Sequence, residues 1–358
     1  MAARDAPDRL PEQVQHDGRG KPRYAAVMIA LALLAAAAVQ PAELKTFQDW
    51  TVGCDNGRSC HAVALVPEHW PDDALTMSVR RGPAATDTPV LAIELGSDSN
   101  PAWLSADGRR LAVRLLGTEG LTGIAPADTR TMIAALRSAG SLEVHSADGK
   151  PLGTVSLKGA SAALLYMDEQ QRRTGTATAL VRPGSRPPAA APAPPLPVVT
   201  APPLSRARPL ALSAAAIRAL RAKHGCSIGE VGGPDETESA ALGANETLLL
   251  LACGSGAYNV SYVPFIVRRG GRAALAPFDH RPGWWAEEGK PMLVNAGWDK
   301  ERGLLTSLSK GRGLGDCGTT SEYAWDGRAF RLVEQSEMGE CRGSTDYITT
   351  WRARLVRR

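Results

Sequence analysis

No Cys-x-x-Cys pair, no His-Glu-x-x-His run and no two histidines four residues apart occur in the sequence. The spacings that hold structural zinc, a catalytic zinc or a redox dithiol are therefore missing. An excess of one charge sign is missing too: Lys+Arg of 41 stands against Asp+Glu of 37, a net charge of +4. Such balance argues against a dedicated nucleic-acid binder, whose basic residues form an electrostatic footprint. Aromatic residues make up only 5%, yet eight tryptophans outnumber four phenylalanines and six tyrosines. At 44% hydrophobic and 22% charged, the chain has enough apolar residues for ordinary cores, which excludes wholesale disorder.

The apolar run Ala25–Val39 is 15 residues long, short of the roughly 20 a membrane-spanning helix needs. Lys21 and Arg23 precede it and small residues follow, the layout of a secretory signal peptide. Cleavage is expected between Ala37 and Ala42, so residues 1–42 read as a leader, with an uncleaved anchor as the alternative. No cysteine follows the run, which removes a lipoprotein attachment. The expected location is periplasmic or secreted.

Cys54, Cys60, Cys226, Cys253, Cys317 and Cys341 all lie beyond the leader, and an exported chain meets an oxidising compartment. Six cysteines allow 15 pairings. Their positions fall into three close pairs, which points to Cys54–Cys60, Cys226–Cys253 and Cys317–Cys341. The first pair encloses a hairpin tip at Asn56-Gly57. A two-residue turn there would send the two cysteines to opposite faces, so a bridge requires an odd-length loop centred on Gly57. The last pair encloses a hairpin about Asp326-Gly327. Each bridge is worth about 2–4 kcal/mol through the unfolded chain.

Between Pro183 and Pro209 lie ten of the 26 prolines, a composition that reads as an extended, semi-rigid spacer. It divides the mature chain into 43–182 and 210–358, joined by a linker over 183–209. The first part mixes strands near Thr76–Arg80, Val90–Leu95 and Leu111–Leu116 with a helix over Thr129–Ser138 capped by Asp128. A hairpin about Asp148-Gly149 and a second helix near Ser161–Arg172 follow. The second part opens on a helix, Ala214–Lys223, with Ser213 as N-cap and Gly225 as its stop. Thereafter it reads almost entirely as short strands. The fold class expected is β-dominated α+β, two domains of mainly antiparallel sheet with a few short helices.

Chemistry is thinly signalled. Gly225-Cys-Ser-Ile-Gly229 matches the G-x-S-x-G nucleophile pattern, but that elbow needs a strand before Ser227 and a helix after it. Here the helix comes first. Gly311–Gly318 is glycine-dense, and its N–H groups with Lys310 and Arg312 would suit an anion, although a plain turn into Cys317 explains it as well. The richest segment is Asp279-His-Arg-Pro-Gly-Trp-Trp-Ala-Glu-Glu288. Trp284 and Trp285 offer a stacking face, and Asp279, His280 and Arg281 offer hydrogen-bonding groups for a sugar or peptide. Adjacent Glu287 and Glu288 do not form a glycosidase pair, whose carboxylates stand about 5–10 Å apart. Arg352, Arg354, Arg357 and Arg358 give a basic end.

The run from Phe47 through Trp50-Thr-Val-Gly-Cys54 to Cys60-His61, the phrase Leu251-Ala-Cys-Gly-Ser-Gly-Ala-Tyr-Asn259, and the ending from Gly313-Leu-Gly-Asp-Cys317 through Glu340-Cys-Arg-Gly-Ser-Thr-Asp346 to Thr349-Thr-Trp-Arg-Ala353 resemble the bacterial domain-of-unknown-function family 1176. The first part is also similar in layout to invasion-associated locus B proteins. These resemblances imply an exported six-cysteine protein with a non-catalytic envelope role. The expected partner is an envelope protein or polymer, with no nucleic acid, no metal and no cofactor, and membrane contact only through the N-terminal segment. The alternative is an envelope hydrolase or carbohydrate-active protein working around Trp284-Trp285 or Ser227.

Mass spectrometry of the native protein is expected to find no free thiol at the six cysteines. A free thiol at any of them overturns the three-bridge framework. Each part, 43–182 and 210–358, is expected to oxidise when expressed by itself.

Overall fold

The structure, a computed structural model, describes residues 39–69, 72–96, 99–117, 120–187, 193–227, 237–280 and 290–358. Alternation of apolar and polar residues builds the first sheet. In the strands Trp50–Cys54, Cys60–Ala64 and Thr76–Arg81, the set Trp50, Val52, Ala62, Ala64, Met77 and Val79 turns to one face and is buried there. Seven antiparallel strands run in the order Lys45–Phe47, Trp50–Cys54, Cys60–Ala64, Thr76–Arg81, Val90–Glu94, Leu121–Ile124, Leu115–Leu116. A four-stranded sheet, Pro151–Ser156, Ser141–His145, Trp103–Ala106 and Arg109–Arg110, shares the core through Leu104, Leu142, Val144 and Val155. The helices α1 (Thr129–Ser138) and α2 (Ala160–Gln170) complete it with Met132, Leu136, Leu164 and Met167. Trp50 ties the two sheets directly, its Nε1 donating to the Ser156 carbonyl at 2.9 Å.

A buried polar group holds the chain that follows α2. Arg81 and Asp168 have fully buried side chains and pair at 2.7 Å. Arg81 also donates from Nε to Gln171 Oε1 at 2.6 Å and from Nη1 to the Thr178 carbonyl at 3.2 Å. The second Asp168 oxygen accepts the N–H groups of Leu180 and Val181 at 2.7 and 3.0 Å. Residues 171–181 thus follow the sheet because one ion pair needs their backbone to satisfy it.

The second half is a sandwich. Its first sheet orders Glu238–Ala241, Glu246–Ser255, Val260–Arg268 and Arg272–Leu275, with Leu293–Val294 pairing the third strand. Its second orders Gly297–Asp299, Leu304–Lys310, Gly318–Trp325, Phe330–Met338 and Ile348–Arg352. Leu248–Cys253 is continuously apolar because both faces are covered. Leu248 and Leu250 meet Tyr323, Phe330 and Trp351 of the facing sheet, while Leu249 and Leu251 meet Ile217 and Leu220 of α3 (Ala214–Lys223). Ser213 caps α3 as expected, its Oγ accepting from Ala216 N at 3.2 Å.

The disulfides join Cys54 to Cys60, Cys226 to Cys253 and Cys317 to Cys341. Cys54 and Cys60 stand opposite one another in the ladder, with a five-residue loop centred on Gly57 between them. No helix among the described residues is long and apolar enough to cross a membrane, and the leader read over residues 1–42 lies, up to residue 38, outside the described residues.

Three expectations change. Leu111–Leu116 is strand only at Leu115–Leu116; before it, Leu111 N donates to the Leu104 carbonyl at 2.8 Å and Arg114 N to the Asp128 carboxylate at 2.9 Å. That same bond takes Asp128 away from capping α1, which is entered through a 3-10 turn over Pro126–Asp128. Within the proline-rich segment, the proline-free window Val198–Ala201 forms a strand parallel to Arg354–Arg357. Val199 and Ala201 bury against Leu304 and Ala324, so the segment is not spacer throughout.

Arg81→Ala leaves Asp168 charged and buried without its partner, a loss of about 3–5 kcal/mol. Urea denaturation measures it, and a loss under about 1 kcal/mol would show that the pair does not hold the fold.

Candidate functional site

The outer face of the seven-stranded sheet carries Thr46, Thr51, Gly53, His61, Val63, Ser78 and Arg80. Chain from the second half covers it. Val63 and Leu65 pack with Cys317, Met338 and Ile348 in a small apolar cluster. A Cβ at Gly53 would meet Leu44 Cδ2 at 2.6 Å and Ile348 Cγ2 at 2.9 Å, so glycine is what lets this layer close. Polar clamps surround the cluster. Arg342 pairs with Asp49 at 2.5 Å and donates to the Val66 carbonyl at 2.8 Å. Arg352 pairs with Asp55 at 2.5 Å, and its backbone exchanges hydrogen bonds with the Asn56 side chain at 2.8 and 2.9 Å. Asp346 is shared between Arg80 and His61, whose Nε2 lies 3.3 Å from Oδ2. Burial pushes the His61 pKa down, against the pull of Asp346.

On one side of this seam lies a pocket of about 510 Å³, lined by Pro41–Leu44, Thr46, Thr51, His280, Gln335, Glu337 and Gly339 among others. Thr51 is fully buried, and its hydroxyl has no hydrogen-bond partner. Glu337 is half-buried, and burial moves its carboxyl pKa up, with no hydrogen bond or charge among the described residues offsetting it. His280 is drawn the other way: burial lowers its pKa despite Asp279 and contacts to the Val39 backbone and the Gln335 side chain. A base and an acid are thus both pushed toward their neutral forms in one cavity. Larger hollows carry less. One of about 1000 Å³ surrounds the exposed hairpin tip at Arg268, Arg269 and Arg272, and one of about 540 Å³ beside Arg80 is lined largely by groups already paired, Arg352 with Asp55 and Arg81 with Asp168.

Of the residues singled out in the sequence, His280 lines the pocket. Asp279 is used structurally, its Oδ1 accepting from Leu332 N at 3.0 Å. Arg281, Trp284 and Trp285 lie outside the described residues, as do Glu287 and Glu288. Ser227 is exposed beside the Cys226 bridge, and among the described residues no histidine or carboxylate is bonded to it. In Gly311–Gly318, Arg312 Nε reaches Asp316 Oδ1 at 2.7 Å, so the segment carries its own counter-charge. A Cβ at Gly311 would meet Cys317 Sγ at 2.7 Å, which explains glycine by packing on the bridge. The basic C-terminal end is likewise occupied in part, with Arg352 on Asp55 and Arg357 donating to the Pro202 carbonyl at 3.1 Å.

Sequence reasoning missed Thr51 and Glu337, and a cluster on the four-stranded sheet where Ser105 Oγ sits 3.0 Å from both His145 Nε2 and Glu143 Oε2. The spacing Glu143-x-His145 on a strand was the available signal, since alternate residues share a face. This is not a nucleophile–base–orienter relay. Glu143 approaches the same Nε2 at 3.4 Å, and Nδ1, which an orienting carboxylate would have to hold, is buried without a partner.

The family model "Protein of unknown function (DUF1176)" matches residues 44–354. The chain belongs to this family. "Uncharacterized protein YpfG" of Escherichia coli (strain K12) is 32% identical over 341 residues, covering 86% of this chain and 92% of that protein. The crystal structure of invasion associated protein b from Bartonella henselae matches with a TM-score of 0.28 and 18% identity, covering 36% of this chain and 99% of that one.

His61 and His280 both have folded-state pKa values below the ordinary 6.5. The unfolded chain therefore binds more protons on acidification, and the stability these residues contribute is complete above pH 6.5 and declines below it. Thermal midpoints are expected to fall between pH 7 and pH 5, with a shallower slope in His61→Gln. An unchanged slope in that variant would show that His61 is not the group responsible.

Proposed function

We propose that this member of the DUF1176 family is an exported, disulfide-stabilised protein that binds an envelope component without catalysis, and that the ligand occupies the pocket at His280. The observation that carries the reading is the convergence of an unpartnered Thr51 hydroxyl, an uncompensated Glu337 carboxylate and a neutral-leaning His280 on one cavity. Buried polar groups cost stability unless they are bonded. A ligand that supplies the missing bonds recovers that cost. The volume is in the range of small-molecule sites, about 300–1,000 Å³. Asp279 holds the strand next to the cavity by accepting from Leu332 N.

Binding is favoured over turnover by how His280 is used. A covalent mechanism needs a nucleophile within hydrogen-bond reach of a base, and the His280 contacts go to Gln335 and the Val39 backbone. Export is supported by the leader pattern and the three bridges. The proposed partner is a component of the envelope, protein or polymer.

Gly339 is exposed at the rim of the pocket, and a Cβ there has no atom within 4 Å, so Gly339→Trp adds an indole at the rim. Mature protein recovered from envelope extract is expected to release a bound component on denaturation that Gly339→Trp does not, at an unchanged thermal midpoint. Identical released material from both proteins, or steady turnover of a muropeptide or ester, overturns the proposal.

A further inference from the structure

We infer that the pocket recognises a primary ammonium group, seated against Glu337, with a neighbouring hydroxyl or amide of the ligand reaching Thr51 and His280. This rests on the pocket at His280 being the ligand site. Glu337 lies in the strand Phe330–Met338, and its ladder neighbours Thr319 and Ile348 bring no positive charge. Among the described residues, Arg342 is paired with Asp49 and Lys45 with Glu43. The half-buried Glu337 carboxylate has neither hydrogen bond nor counter-charge among the described residues, so a cation seated there would stabilise its charged form. Glu340 adds a second carboxylate at the rim, where its Oε1 accepts from Thr46 at 3.0 Å. Thr51 contributes a hydroxyl able to accept from the ligand or donate to it.

The donor set decides which cation. Among the described residues no group of three or more His, Cys, Asp or Glu side chains is placed to hold a metal ion. An ammonium needs fewer and looser acceptors, and its charge-assisted bonds are about twice as strong as neutral ones. His280, held toward its uncharged form by burial, does not repel it near neutral pH. A cavity of about 510 Å³ admits an amino sugar or the amino end of a short peptide. These two sources share the ammonium and differ in what lies next to it.

The test uses the mature full-length chain labelled with ¹³C at threonine methyl groups, and follows the Thr51 signal during titration with four probes. These are glucosamine, N-acetylglucosamine, L-alanyl-L-alanine and its N-acetyl derivative. Either free amine, or both, is expected to shift Thr51 along a saturating curve, and which one does so identifies the source. Acetylation should abolish the shift, and Glu337→Gln should weaken binding at least about ten-fold. A structural Glu337 would behave differently in a second readout. Because burial raises its pKa, removing the charge is expected to raise the thermal midpoint of the empty protein at pH 7 while it removes binding. If the acetylated probes bind as tightly as the free amines, or if magnesium or calcium ion alone displaces them at the same site, the ammonium inference is overturned and the pocket stands. If none of the four probes perturbs Thr51 at millimolar concentration while Thr51 is resolved in the spectrum, the pocket itself is overturned as the ligand site.

Discussion

Val63 and Leu65 sit on the side of the first sheet opposite its own core, and covering them is the constraint on which the rest of the molecule depends. A sheet of this kind is stable with one face wet. Here two large aliphatic side chains on that face are completely buried, and the chain that buries them comes from residues 317–348. The apolar cluster is small, so direction and register fall to the clamps around it. Arg342, Asp346 and Arg352 recur along the covering segment and meet Asp49, Arg80 with His61, and Asp55 in turn. Part-buried, geometrically defined ion pairs of this sort fix alignment more than they add stability.

Two of the three bridges serve that alignment. Cys54–Cys60 closes the loop 55–59, in which Asp55 Oδ1 accepts the N–H groups of Gly57 and Ser59 at 2.8 and 2.9 Å and leaves Oδ2 for Arg352. Cys317–Cys341 holds the entry to the segment that presents Arg342 and Asp346. The third, Cys226–Cys253, fastens the end of α3 to the strand it covers. A chain with few large aromatic side chains thus gains rigidity where its interior surfaces meet.

Much of this was legible in the sequence. Helices α1 and α3 were readable from periodicity and stop signals, because their boundaries are set locally. The pairing of the cysteines was readable because each bridge is local as well. What was not legible depends on distant partners. Asp128 looks like an N-cap until Arg114 takes its carboxylate, and Val198–Ala201 looks like spacer until Arg354–Arg357 lies beside it. In the candidate site, His280 stood out by its neighbourhood of chemical groups. Thr51 and Glu337 did not, since a threonine in a strand and a glutamate in a strand are ordinary until two sheets from opposite ends of the chain bring them together.

That dependence on distance also bears on why a pocket lies here at all. A cavity inside either core would be lined by side chains selected for packing, and a void there costs stability in proportion to its size. At the seam, the covering layer touches the sheet through a compact apolar cluster and discrete ion pairs, so space beside the cluster opens without disturbing either core. Thr51 is on the sheet and Glu337 on the covering strand, with His280 entering from a third segment. Their separation is therefore set by the clamps rather than by any one element. A ligand bridging Thr51 and Glu337 would tie the two layers together as Arg342 and Arg352 do, and occupancy would add to the seam whatever free energy it gains in binding. Coupling of that kind makes seam stability and ligand affinity two readings of the same set of contacts.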